Sequence, residues 1–545
     1  MIKLLRTSAS ALLLLLGGSV ATAAPTTSYA YAHRPVSTRI VAAQAAFDRG
    51  LTLVYAYQNE EAEQAFRTAA RLDPGLAMAW WGIALALGPD INNAPTVGRT
   101  HQAAAAIERA RLLAASHTSG AERDYIEALA ARTSADAEPD FDKLAIAYRD
   151  RLRALILKHP ADADAAALFA EAAMDLSPWR LWTATGEPRP GTTELVEVIE
   201  RGLRHSPDHI GLLHYYIHAV EASPAPGRAL LGAHRLAALH VEPAAAHLMH
   251  MPAHTFLRVG DYASAIRANE HAVHAAVDFR VSKDPSVRHA CGHCLDFLTY
   301  AYGMSRQYAG ARQAAQASFD LLGDPTNLIG VLALFHRDAD LLAVEEPHGT
   351  RDKHGRDPHV MVGMWHYGRG VASVGRGNLD AAVTELAALD AETLLAPPVP
   401  AFADLPNVPK VYDQLTDATD GAMLGVARHV LAARIAIARG DIAGGIGKFR
   451  DAVEMQESAQ YTEPPLWPYP VRDTLAAALA KSGDTAAAER VLREGLVRVP
   501  HDPVAIAGLR GILVARGDLG GAAALMAELS AAAAHADTAL ELERL

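Results

Sequence analysis

A turn-and-helix unit that returns every 34 to 36 residues constrains this chain more than any other feature of its 545 residues. Gly50, Ala62, Phe66, Ala69 and Pro74 set out the unit near the start. Small residues let two antiparallel helices approach, Phe66 wedges between them, and Pro74 ends the second helix. The pattern recurs as Gly260-Asp261-Tyr262 with Ala265 and Ala272, as Gly440-Asp441-Ile442 with Phe449 and Ala452, as Gly483-Asp484 with Ala488 and Pro500, and as Gly517-Asp518 with Ala522. Weaker copies end at Pro160, Pro207 and Pro243, and another runs through Gly377 to Ala382. One such hairpin cannot bury its apolar face alone, so the copies must stack into an all-α array. Loops rich in Gly, Pro and Asn interrupt it at 89–100 and 183–192, a charged Gly-rich stretch at 343–358, and a proline-rich one at 391–410. The expected organisation is an N-terminal array over about 38–340, an irregular linker over 341–410 with one hairpin from about 359, and a C-terminal array over 411–545.

Composition agrees and excludes several roles. Alanine is abundant and only 6% of residues are aromatic, which suits closely packed helices. A net charge of −12, with Lys and Arg scattered, argues against nucleic acid and against a basic membrane-binding helix. Cys291 and Cys294 are the only cysteines, so disulfides do not build the fold. At the start, Lys3 and Arg6 precede an apolar core over Ala11 to Leu16 and the small-x-small sequence Ala21-Thr22-Ala23. These features predict a signal peptide over 1–23 that is cut before Ala24, and a periplasmic or secreted product. No later stretch approaches ~20 uninterrupted apolar residues, so no membrane insertion is expected after cleavage.

The repeat resembles the tetratricopeptide (TPR) pattern. That resemblance implies a helical-hairpin solenoid wound as a right-handed superhelix. The chain also resembles a narrower family of exported bacterial TPR proteins. The likeness is carried by Ala77-Met78-Ala79-Trp80-Trp81-Gly82-Ile83-Ala84, Met174-Asp175-Leu176-Ser177-Pro178-Trp179, and His214-Tyr215-Tyr216-Ile217-His218-Ala219-Val220-Glu221. It continues through His247-Leu248-Met249-His250-Met251-Pro252-Ala253-His254 and Glu463-Pro464-Pro465-Leu466-Trp467. It covers nearly the whole chain after the leader, and it implies a fold rather than an activity.

The histidines carry the chemistry. Thirteen of the 25 lie between His205 and His293, about a sixth of the chain. His214, His218 and Glu221 are spaced i, i+4, i+7, and His247, His250 and His254 are spaced i, i+3, i+7. Each set falls on one stripe of a helix. Pro207 and Pro243 close repeats 36 residues apart, an offset that superposes His214 on His250 and His218 on His254. The TPR resemblance implies that these positions, with His293 and Asp296 from a later hairpin and Glu171 and Asp175 from an earlier one, face the concave groove. Adjacent helices pack about 8–10 Å apart, so imidazoles facing each other across that gap can share an ion. The expected metal set is His214, His218, Glu221, His247, His250, His254, His293 and Glu171, with Tyr215, Tyr216, Asp175 and Glu221 as groups that orient ligands. Imidazole and carboxylate donors suit a transition metal such as zinc, iron or copper, without deciding among them. An open coordination position would allow metal-dependent catalysis, although no catalytic residue is evident.

A second function class stays open, a periplasmic scaffold whose groove holds a peptide or protein partner. Histidines at groove positions favour the metal. Cys291-Gly292-His293-Cys294 lacks the strands of a thioredoxin fold, and Leu295 stands where a haem-attachment histidine would be. A local disulfide and thiolates near the groove both remain open for that pair. Glu463-Pro464-Pro465-Leu466-Trp467 reads as a structural corner, and Asn92 and Asn93 as turn residues.

Overall fold

The Gly-Asp signature has a direct physical basis in the computed structural model, which describes residues 29–279, 285–348, 358–395, 408–540 and 542. Gly260, Gly440, Gly483 and Gly517 each have φ between +77° and +90°, the left-handed conformation that ends a helix without a Cβ penalty. The aspartate that follows caps the next helix. Asp441, Asp484 and Asp518 accept hydrogen bonds from the backbone N–H of Gly444, Ala487 and Gly521 at 2.8, 2.9 and 2.9 Å. Tyr57, Arg306 and His336 take the same left-handed turn in hairpins without the glycine.

Twelve hairpins follow one another among the described residues, with no β-strand. The first four pair α1 (Val41–Tyr55) with α2 (Asn59–Leu72), α3 (Ala77–Ala86) with α4 (Val97–His117), α5 (Gly120–Ala130) with α6 (Phe141–Lys158), and α7 (Ala163–Met174) with α8 (Thr192–His205). The next three pair α9 (Ile210–Val220) with α10 (Leu230–Ala238), α11 (Ala246–His250) and α12 (Pro252–Arg258) with α13 (Tyr262–Phe279), and α14 (Pro285–Met304) with α15 (Tyr308–Leu322). Then come α16 (Thr326–Leu334) with α17 (Asp338–Ala343) and α18 (Pro358–Gly375) with α19 (Leu379–Leu395). The last three pair α20 (Val408–Ala438) with α21 (Ile442–Ser458), α22 (Val471–Lys481) with α23 (Thr485–Arg498), and α24 (Pro503–Ala515) with α25 (Leu519–Ala524) and α26 (Met526–Ala532). The fold is the all-α, TPR-like solenoid that the repeat predicts.

Packing within the units follows the small-large logic of the sequence. Phe66 is fully buried, and a Cβ on Gly50 would stand 2.8 Å from its ring. Gly82, on the next hairpin, leaves room for the same ring. One apolar core runs from Ala32 to Ala314 and a second from Ala311 to Leu542, so they meet within α15. The segment Thr419–Ala438 has the length and mean hydropathy (1.4) of a membrane span, yet 56% of it is buried in the protein. Its Arg428 pairs with Asp390 at 2.5 Å, and its Val426, Val430 and Leu431 belong to the second core.

Two features position the site. Pro252 has no N–H, and the first helix of its hairpin is divided there into α11 and α12. Met251 between them keeps right-handed helical dihedrals (φ −51°, ψ −37°), so the histidine stripe runs on across the break. The C-terminal array also folds back onto the N-terminal one. Asp537 accepts from the backbone N–H of Tyr308 at 2.7 Å, and Gln460 donates to the carbonyl of Trp179 at 2.9 Å. The segment between α21 and α22 thereby packs against the N-terminal array. The leader over 1–23 lies outside the described residues, as do 349–357 and 396–407 within the two expected linker stretches.

Candidate metal centre

Helix α9 carries His214 and His218, α11 carries His247 and His250, α12 carries His254, and α14 carries His293. The structure brings all six together as two groups of three. Potential ligand atoms of His214, His218 and His247 lie within 4.8 Å of one another, and so do those of His250, His254 and His293. His214, His218, His250 and His254 are buried, while His247 and His293 are half-buried.

Hydrogen bonds fix how four of these rings face. His214 Nδ1 lies 2.6 Å from the carbonyl oxygen of Tyr55, which can only accept, so Nδ1 donates. The two oxygens of Glu221 accept from His218 Nδ1 at 2.8 Å and from His254 Nδ1 at 2.7 Å. His250 Nδ1 donates to Asn269 Oδ1 at 2.6 Å, and the amide orientation is set because Asn269 Nδ2 donates to the Ala265 carbonyl at 2.9 Å. With Nδ1 protonated, the Nε2 of each neutral ring presents a lone pair. His218 Nε2 is buried without a hydrogen-bond partner. His214 Nε2 and His247 Nε2 are 3.2 Å apart, and His250 Nε2 and His254 Nε2 are 2.7 Å apart. Rings oriented through Nδ1 with Nε2 converging is the arrangement by which outer-sphere acceptors hold metal-ligating histidines.

Electrostatics divide the rings. Burial, reinforced by the neighbouring imidazoles, pushes His214, His247 and His250 well below the ordinary histidine pKa, and burial lowers His218 as well. Burial also opposes charge on His254, but Glu463 and Glu221 outweigh it and raise that ring to about 10. A contact as short as the 2.7 Å between the His254 and His250 Nε2 atoms calls for a proton on one of them, because two facing lone pairs would repel. For Glu221, burial works against ionisation, and His254 and His218 override it to hold the carboxyl well below its usual range. Burial and the nearby Glu221 raise Glu463 to about 8.

The expected residues do not all converge. Glu221 falls in a third group of possible ligands, with His218 and Glu463, and its two oxygens also accept from the Nδ1 atoms of His218 and His254, which makes it the link between the two triads. Glu171 stands outside both triads, beside Asp175 and 3.9 Å from Arg132. Burial raises Glu171 to about 7, and burial together with the adjacent Glu171 raises Asp175 well above its usual value. Asp296 accepts from Ser318 and Asn327, both at 2.7 Å. Tyr215 packs edge-on against Tyr55 and tilted against His214, whereas the Tyr216 hydroxyl turns away to Glu200 at 2.5 Å. Cys294 is buried on α14, and the side chain of Cys291 lies outside the described residues.

Three contributors come from segments that helical spacing could not connect. Glu463 Oε2 reaches 2.9 Å from His254 Nδ1, without the alignment of a good hydrogen bond. Tyr461 Oη donates to Glu221 at 3.0 Å, and Asn269 on α13 orients His250. The Glu-Pro-Pro-Leu-Trp cluster was the available signal for the first two. Its Trp467 is the expected corner, fully buried against Tyr367 and Tyr469, but its Glu463 belongs to the site. A cavity of about 20 Å³, the size of one water, lies beside the first triad, lined by Ile91, Met174, Trp179, His218, Glu221 and Tyr461 among others.

Neither a protein-family model nor a characterised protein sequence matches the chain. Among solved structures it is similar to a human IFIT1 dimer with m7Gppp-AAAA, at 14% identity over 91% of each chain and a TM-score of 0.32. It is also similar to yeast Tom70, at 12% identity over 90% of this chain and 91% of that one, with a TM-score of 0.28. The APC/C Cut9–Hcn1 hetero-tetramer gives 12% identity over 92% of this chain and 95% of the other, with a TM-score of 0.26. Superpositions this loose bear on neither the site nor its chemistry.

Proposed function

We propose that this is an exported metalloprotein in which a TPR-like scaffold binds a transition metal through histidine Nε2 atoms. One observation carries the reading: four buried imidazoles have their Nδ1 atoms committed to Tyr55, Glu221 and Asn269, which turns their Nε2 atoms toward one another. A buried nitrogen left without a partner, as at His218 Nε2, costs about 1–3 kcal/mol, and a bound cation would offset that cost. The water-sized cavity beside His218 gives a bound ion a position for a water or a small ligand. Extended-peptide binding at this point of the groove is disfavoured, because Tyr461 and Glu463 of the chain itself fill it.

Metal analysis of protein purified without a polyhistidine tag tests the reading. Stoichiometric metal that disappears in a folded His214→Ala, His250→Ala double variant supports it. Protein that stays metal-free after incubation with zinc, copper and iron returns the chain to the scaffold class.

A further inference from the structure

We propose that the site is a two-ion centre, with one monovalent copper ion on His214, His218 and His247 and a second on His250, His254 and His293. The inference rests on the metal reading above and adds number and identity to it.

The repeat itself argues for two ions. The first triad takes two histidines four residues apart from one first helix and a third from the next hairpin, His214 and His218 on α9 with His247 on α11. The second triad repeats this one hairpin further on, with His250 and His254 from α11 and α12 and His293 from α14. Moving along the solenoid by one unit therefore carries the first ligand set onto the second. Two sets related by such a translation cannot share one centre. They lie side by side, with His218 and His254 ring centroids 5.6 Å apart and those of His247 and His250 5.9 Å apart. Glu221 joins them by accepting from one ring of each.

Donor chemistry and charge select the ion. Each triad is built of imidazoles alone, and the carboxylates grouped with His218, those of Glu221 and Glu463, lie against the ring Nδ1 atoms of His218 and His254, whereas manganese favours oxygen donors and non-haem iron a carboxylate beside its histidines. Copper, zinc and nickel accept three imidazoles. The carboxylates that face the rings are Glu221 and Glu463, while Glu171 and Asp175 are set against Arg132. Two divalent ions would bring four positive charges beside at most two carboxylates in a buried site, which is strongly unfavourable. Two monovalent ions bring half that charge to the same two carboxylates. Copper is the first-row imidazole binder with a stable monovalent state. Apolar and aromatic walls, including Phe297 and Tyr57, suit an ion of low charge.

The test is anaerobic titration of the untagged full-length chain with the acetonitrile complex of copper(I), in competition with bicinchoninate. Elemental analysis after desalting gives the stoichiometry. Two copper ions per chain are expected. The half-buried ligands are removed singly as His247→Ala and His293→Ala, with circular dichroism to confirm the helical fold, and each variant should keep one ion. The double variant should keep none at the same competitor concentration. One ion per parent chain overturns the two-ion centre while leaving the metal reading intact. No uptake of copper, zinc or iron ends both. Two zinc ions that copper(I) cannot displace overturn the charge argument and its choice of metal.

Discussion

Replacing Glu221 by glutamine tests the logic of the site at its most connected point. The carboxylate accepts three hydrogen bonds, from His218 Nδ1 at 2.8 Å, His254 Nδ1 at 2.7 Å and Tyr461 Oη at 3.0 Å. A glutamine of nearly the same shape keeps one acceptor oxygen and turns an NH2 group toward the other imidazole. That ring must then give up its Nδ1 proton and carry it on Nε2, so one lone pair leaves its triad. Outer-sphere changes of this kind cost about 10–100-fold in metal affinity, or about 1.4–2.7 kcal/mol. Because Glu221 serves one ring in each triad, whichever ring loses its acceptor weakens the triad it belongs to. Competition titration against a chromophoric chelator measures the change, with thermal unfolding of the metal-free variant as the control for folding. A folded Glu221→Gln protein that binds metal as tightly as the parent would refute the claim that Nδ1 acceptors organise this cluster.

Other consequences can be checked independently. Tyr461→Phe removes one neutral hydrogen bond to Glu221 and should weaken metal binding by no more than about 1.5 kcal/mol in the same titration. Phe66→Ala empties a fully buried position between two hairpins and should cost about 3–5 kcal/mol, read as a lower denaturant midpoint for the N-terminal array. Trp467→Ala, also fully buried, should cost a similar amount and loosen the segment that carries Glu463, lowering metal affinity together with stability. For acid stability, burial opposes the charge of Asp164, yet His209, Arg34 and Tyr55 hold it at about 2. Its folded pKa lies below the unfolded value of about 3.9, so its stabilisation is present above about pH 4 and is lost as pH falls through about 2. Asp164→Asn should therefore lower stability by about 2–3 kcal/mol at neutral pH and flatten the acid limb of a denaturation profile followed by circular dichroism.

The sequence alone determined what depends on neighbours along the chain. Gly-Asp turns, Phe66 between small residues, and the prolines after helices act within one unit, so their recurrence was enough to specify a stack of hairpins. The four-residue spacing of His214 and His218, and its echo 36 residues on, likewise put those rings on matching faces before any packing was known. Only the tertiary structure decided which groups surround them. The second array folds back onto the first, and that alone brings Tyr461 and Glu463 to residues more than 200 positions away. Helical period says which way a side chain leaves its own helix, but not which acceptor meets it. Glu221 shared the histidine stripe and became the acceptor that links the triads, while Glu171 was drawn toward Arg132 because a buried carboxyl goes where a cation or a proton can satisfy it. Local rules repeat with the chain. The balance of buried charge is settled only when distant segments meet.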